Sequence, residues 1–138
     1  MDLSVKCGCA LIADSHPGML EAVRSLLERM FEAVVMVGDE AALLAAVPRL
    51  QPDLVVVDLS LPVAGDRHIV GRLGEQFPAL KVIVLSVHCE AEAARAALAA
   101  GAAGYVLKRT AVTDLAEAVR AVRADTTYVS PTVGYQPE

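Results

Sequence analysis

Five short apolar runs alternate along this chain with segments of helical period, and that alternation leaves few folds open. The runs are Cys9–Ala13, Val34–Val37, Leu54–Val57, Val82–Leu85 and Gly104–Leu107. They are continuous rather than alternating in polarity, the pattern of strands buried on both faces. Between them, Leu20, Val23, Leu27 and Met30 recur at three and four residues and so share one helix face. Pro17 stands at a first-turn position that tolerates proline. A second helix is expected from about Glu40 to Val47, stopping near Pro48. Ile69, Val70, Leu73 and Phe77 mark a third, weakened by Gly71 and Gly74. An alanine-rich fourth runs from Glu90 to Ala100, with Gly101 placed to cap it. Leu115, Ala118, Val119 and Val122 mark a fifth, with Thr113 or Asp114 available as its N-cap. Strands and helices in strict alternation predict an α/β fold: a doubly wound, five-stranded parallel sheet with five helices on its two faces. Right-handed crossovers then leave very few topologies.

The chain's 138 residues fit one domain. Aromatics are 4% of it and Trp is absent, so Val, Leu and Ala must fill the core. A net charge of −5 argues against free-standing nucleic-acid binding, which needs basic residues to neutralise phosphates. No apolar run approaches the ~20 residues of a membrane span, and the amino terminus lacks a signal-peptide pattern, so a cytoplasmic protein is the expectation. Cys7, Cys9 and Cys89 are odd in number and lack a CxxC spacing, which suits a reducing compartment and a role as small apolar fillers. The stretch 126–138 breaks the pattern, with Pro131 and Pro137, and reads as the start of a linker or a loosely packed end.

Four polar residues stand at equivalent places: Asp14 after the first run, Asp58 after the third, Ser86 after the fourth and Lys108 after the fifth. A parallel sheet gathers them on one edge, where open α/β sheets bind ligands. As a chemical set they are coherent. Paired acids can hold a hard divalent cation, and a carboxylate can attack phosphorus. A lysine can neutralise phosphoryl oxygens, and a hydroxyl can hydrogen-bond them. An isolated Asp after an apolar strand is more often a turn residue; three companions in register reverse that reading for Asp58.

The segments Leu11-Ile12-Ala13-Asp14-Ser15-His16-Pro17, Pro52-Asp53-Leu54-Val55-Val56-Val57-Asp58-Leu59-Ser60-Leu61-Pro62, Val82-Ile83-Val84-Leu85-Ser86 and Gly101-Ala102-Ala103-Gly104-Tyr105-Val106-Leu107-Lys108 together resemble the receiver domain of two-component response regulators. The resemblance covers about residues 7–125, and the Asp-x-His-Pro start and Thr127-Tyr128-Val129-Ser130-Pro131 are similar to the NarL/FixJ branch, whose members usually continue into a LuxR-type helix-turn-helix. It implies a flavodoxin-like strand order of 2-1-3-4-5. It implies that Asp58 accepts phosphate from a histidine kinase, that Asp14, Asp58 and the Ser60 carbonyl hold Mg²⁺, and that Lys108 pairs with Asp58 or its phosphate. Ser86 would move toward the phosphoryl group and Tyr105 would turn inward with it, a local charge change biasing a two-state element. Such a domain is not an enzyme in its own right, binds no nucleic acid or membrane itself, and can pair as a homodimer.

Two departures stand out. Ser15 occupies the place of a second acid, so the metal site has two carboxylates where relatives have three, and Ser15 is at best a weak ligand. Arg109 follows Lys108 where many relatives have a cis proline; a non-proline cis bond costs about 3 kcal/mol, so a trans bond is expected. The alternative reading is a degenerate receiver that takes no phosphate and acts as a protein-interaction module. An aspartate-nucleophile hydrolase is disfavoured because Ser60 stands where its second acid would be, and no Gly-x-Gly-x-x-Gly follows the first strand to bind a dinucleotide.

Overall fold

The computed structural model describes residues 8–14, 21–61 and 69–133. Among them the chain runs β1 (Cys9–Ala13), α1 (Glu21–Glu28), β2 (Ala33–Val37), α2 (Glu40–Leu50), β3 (Leu54–Asp58), α3 (Ile69–Gln76), β4 (Val82–Ser86), α4 (Ala91–Ala99), β5 (Gly104–Leu107), α5 (Ala111–Arg123) and β6 (Tyr128–Val129). The strands form one sheet in the order β2-β1-β3-β4-β5-β6, and every neighbouring pair is parallel. The expected doubly wound fold and the order 2-1-3-4-5 are therefore both present, with one short strand added at the β5 edge.

Strand alternation divides the core in two. Val55 and Val57 face one side, with Leu43, Ala46, Leu73, Ala94 and Ala97 from α2, α3 and α4. Leu54 and Val56 face the other, with Val23 and Leu27 of α1 and Leu115, Ala118, Val119 and Val122 of α5. Because β3 and β4 are buried at every position, only near-continuous apolar sequence could serve there. Pro17, Leu20, His16, His68 and the loop Pro62–Asp66 lie outside the described residues.

Three expectations about boundaries needed correction. Helix α2 does not stop at Pro48 but continues to Leu50. Proline loses the bond its N–H would make to the Leu44 carbonyl and crowds that carbonyl, a cost confined to one position in the last turn, where the chain still closes its later bonds. The end falls instead at Gln51, left-handed at φ 48°, whose N–H returns to the Val47 carbonyl. Helix α5 begins at Ala111, capped by neither Thr113 nor Asp114: a 3₁₀ turn over Lys108–Thr110 leads straight into it. The tail is not loose as far as residue 133, for Tyr128 and Val129 pair with Gly104 and Tyr105, and Ser130 is wholly buried. The capping role of Gly101 is as expected. At φ +116° it lets its own N–H reach Leu98 and that of Ala102 reach Ala97, a Schellman closure of α4. No cis peptide bond occurs among the described residues, so Arg109 follows a trans bond.

Candidate functional site at the carboxyl edge of the sheet

Register brings the strand-end residues together. Ala13 pairs with Val57, so Asp14 comes level with Asp58 on the next strand. Asp58 pairs with Leu85 and Ser86 pairs with Leu107, which places Ser86 and then Lys108 on successive neighbours. Parallel strands are about 4.8 Å apart, so Lys108 lies two strands from Asp58 and only a long side chain spans the gap. Continuing the alternation of each strand puts Asp14, Asp58 and Lys108 on the α1/α5 side of the sheet. Ser86 and Tyr105 fall on the α2–α4 side.

Asp58 is 1% exposed and has three donors. The Ser60 N–H and hydroxyl both donate to Oδ1 at 2.9 Å. The Lys108 ammonium donates to Oδ2 at 2.6 Å. Burial alone would push the Asp58 carboxyl up, but Lys108 and the two Ser60 donors outweigh it and hold the group below its ordinary value of 3.8. The site thus keeps a buried carboxylate ionised. Asp14 is equally buried, and its N–H donates to the Val37 carbonyl at 3.1 Å.

At the end of β4, the Ser86 hydroxyl accepts from the His88 N–H at 3.0 Å, a local turn that fixes its position. Tyr105 is fully buried and its phenol donates to the His88 carbonyl at 2.7 Å. The ring is therefore already inward. Burial pushes its phenol up, and the neighbouring Ser86 hydroxyl acts against that. Asp58, Ser60, Ser86, His88 and Lys108 line a cleft of about 80 Å³. Such a space is far below the few hundred Å³ of a typical small-molecule pocket, and it suits a group the size of a phosphoryl. A larger concavity of about 620 Å³ lies at the opposite edge of the sheet, by Gly8, Asp53 and Lys81, and gathers none of the strand-end residues.

Of the described residues singled out as a site from the sequence, Asp14, Asp58, Ser60, Ser86 and Lys108 lie at this edge, and Tyr105 lies inside β5 next to it. Ser15 lies outside the described residues. Sequence reasoning gave Ser60 a role through its carbonyl and did not foresee that its N–H and hydroxyl hold Asp58. The Asp-x-Ser spacing is the signal that could have told, since a carboxylate commonly bonds the backbone two residues on. It also missed the use of the His88 carbonyl as the anchor of Tyr105.

The response regulator receiver domain, as a sequence family, matches residues 10–120. The chain belongs to this family. It is 35% identical to the transcriptional regulatory protein RcsB of Escherichia coli K12, over 82% of this chain and 55% of RcsB. It is 31% identical to the transcriptional regulatory protein DegU of Brevibacillus brevis, over 89% of this chain and 53% of DegU. The chain thus spans about half the length of these relatives. Among solved structures, the isolated receiver domain of RcsB from Salmonella enterica serovar Typhimurium with the phosphomimetic BeF₃⁻ superposes with a TM-score of 0.80 at 28% identity, covering 93% of this chain and 96% of that one. A Salmonella typhimurium RcsB structure gives a TM-score of 0.83 at 28% identity, covering 94% of this chain and 66% of that one. This chain is accordingly a receiver domain of a response regulator, related to transcriptional regulators. Among its described residues no helix is long and apolar enough to cross a membrane.

Proposed function

We propose that Asp58 is the phosphoacceptor of this receiver. A carboxylate oxygen of Asp58 attacks the phosphorus of a kinase phosphohistidine or of acetyl phosphate. The new O–P bond forms as the bond to the imidazole nitrogen or acetate oxygen breaks. The leaving atom keeps the electron pair, the imidazole nitrogen regains a proton from solvent, and the product is an acyl phosphate. The observation that carries this reading is the 2.6 Å contact of the Lys108 ammonium with a buried Asp58 carboxylate in a phosphoryl-sized cleft. That ammonium keeps Asp58 ionised, hence nucleophilic, at neutral pH. Once the phosphoryl group arrives, the same charge can transfer its contact to a phosphoryl oxygen.

Hard oxygen donors suit Mg²⁺: the carboxylates of Asp14 and Asp58 and the Ser60 carbonyl are of the right chemistry. When bound, Mg²⁺ neutralises charge on the phosphoryl oxygens. With Ser15 in place of a second acid, the site offers two carboxylates, and modest affinity is expected. Ser86 is the hydroxyl that follows the arriving phosphoryl group, and Tyr105 reads that movement through the His88 backbone they share. The domain occupies about residues 7–125, and the chain beyond it leads toward an effector. The relatives' double length and their roles as transcriptional regulators support a DNA-binding domain beyond residue 138 in a longer parent protein. A histidine kinase or a phosphotransfer protein is the expected phosphodonor, and the cytoplasm is the expected location of this domain. A homodimer is the expected assembly, as RcsB is described as dimers bound to DNA.

Incubation with acetyl phosphate and Mg²⁺, followed by intact-mass measurement, tests the central claim. One phosphoryl group should be gained and should be lost in Asp58→Asn. A folded wild-type chain that gains none, and that ignores beryllofluoride, would refute it and leave the phosphorylation-independent interaction module.

A further inference from the structure

Strand pairing at the β5 edge stops at Val129 opposite Tyr105. The next link is made by a side chain. The Leu107 N–H donates to the Ser130 hydroxyl at 3.1 Å, and that hydroxyl donates in turn to Asp114 Oδ2 at 2.8 Å. The same carboxylate oxygen accepts from the Thr110 hydroxyl at 2.6 Å. Ser130 also donates its own N–H to the Tyr105 carbonyl at 2.9 Å, and it is 0% exposed. Leu107 and Thr110 are the two residues that bracket Lys108 and Arg109. One buried hydroxyl and one carboxylate therefore grip both ends of the turn that carries the lysine, and the backbone of Tyr105 as well.

We propose that Ser130, acting through Asp114 and Thr110, is a positioning residue for Lys108. This rests on the phosphoacceptor reading of Asp58. Lys108 must cross two strand spacings to reach Asp58, so a small rotation of its turn moves the ammonium off the carboxylate oxygen. A side-chain hydroxyl at Leu107 fixes that rotation where the sheet no longer can. Serine meets the requirement because its oxygen accepts and donates at once; alanine would leave the Leu107 N–H without its acceptor and the Asp114 carboxylate without one donor. Ser130 follows β6 directly, so the grip also ties the lysine to the chain that leaves the domain. A pull on that chain reaches the lysine turn through the Ser130 hydroxyl as well as through the β6 pairing with β5.

The test uses the full 138-residue chain with acetyl phosphate and Mg²⁺. Ser130→Ala should slow phosphorylation about tenfold, the scale on which outer partners of reacting groups act, while the chain remains folded by circular dichroism at the assay temperature. In a Lys108→Ala background the same substitution should change nothing further, because the group it positions is gone. Beryllofluoride affinity, which needs no turnover, should follow the same pattern and covers the case of a Lys108→Ala rate too slow to measure. Asp114→Asn should reproduce the loss in part, and it decides the question if Ser130→Ala does not fold. An unchanged rate and affinity in Ser130→Ala, or equal losses with and without Lys108, would overturn the proposal. A wild-type chain that takes neither probe fails at Asp58 itself, which is a different result from a wild type that responds and a Ser130 variant that responds equally.

Discussion

Replacing Lys108 with methionine isolates what the ammonium does for the fold. The Asp58 side chain is 2% exposed and Lys108 is 15% exposed, so this is a buried pair rather than a surface one. Methionine keeps the stem and removes the charge, leaving the carboxylate with its two Ser60 donors. Breaking such a pair from one side costs about 3–5 kcal/mol. The carboxylate has one escape, which is to take up a proton. From its ordinary value of 3.8 that costs about 1.4 kcal/mol for each pH unit above it, or about 4 kcal/mol at pH 7. The two routes agree, and Lys108→Met should lose about 3–4 kcal/mol at pH 7. The loss should depend on pH with a definite sign. In the wild type the folded pKa of Asp58 is lowered, so the pair's stabilisation is present above the unfolded value and is lost as pH falls through the folded one. In the variant only the two Ser60 donors oppose burial, so the folded pKa is raised relative to the wild type and the variant gains relative stability as pH falls from neutrality toward 4. Urea melts of both proteins at pH 7 and about pH 4.5 should therefore show the gap shrinking to about 1 kcal/mol. Adding Asp58→Asn to Lys108→Met should close most of the gap at pH 7. A gap of the same size at both pH values, or none at pH 7, would refute the account of Asp58 as an ion kept charged by Lys108.

Three further outcomes are expected. Asp14→Ala should weaken Mg²⁺ binding about tenfold or more, read by titration calorimetry, because it removes one of only two carboxylates; unchanged affinity would place the metal elsewhere. Tyr105→Phe removes the 2.7 Å bond to the His88 carbonyl and should cost about 1 kcal/mol in urea unfolding. A much larger loss would mean that the ring's packing had changed as well. Gly8→Ala should destabilise by about 1–3 kcal/mol. Gly8 sits at φ +84°, and a Cβ there would run into the Asp53 carboxylate that accepts the Cys9 N–H at 2.8 Å. An unchanged melting temperature would show that Asp53 can swing away freely.

Much of this was legible in the sequence, for reasons that particular residues make plain. Strands buried on both faces must be apolar at every position, so Leu54–Val57 and Val82–Leu85 announce themselves, and each proved one residue longer only because Asp58 and Ser86 end the ladder. Parallel pairing then sets strand ends side by side, which is why four polar residues scattered over the chain could be placed on one edge. What escaped notice depended on single pairings with no period. Pro48 reads as a stop, yet in a last turn it displaces only one bond. Ser130 has no pattern around it that points to Leu107 or Asp114, and its partners lie on different elements. The Tyr105 to His88 bond is made to a backbone carbonyl, which any residue supplies and no sequence marks.

All five strand pairings are parallel, and this shapes how the domain reaches its native state. Among the described residues no hairpin is available to start the sheet, because parallel neighbours need a crossover of a dozen or more residues. Each pairing closes a long loop before it returns any contact energy, so folding should be topology-limited, on the millisecond-to-second scale of non-local folds. The Asp58–Lys108 pair closes a separation of 50 residues. In the native sheet it spans β4, which pairs with β3 on one side and β5 on the other. A chain that emerges from the ribosome with β3 made and β5 still absent holds an apolar strand with an unpaired neighbour and an acid with no cation. The same strand, β5, that covers the edge of β4 also carries the lysine to Asp58, so closing the sheet and completing the ion pair belong to one arrangement.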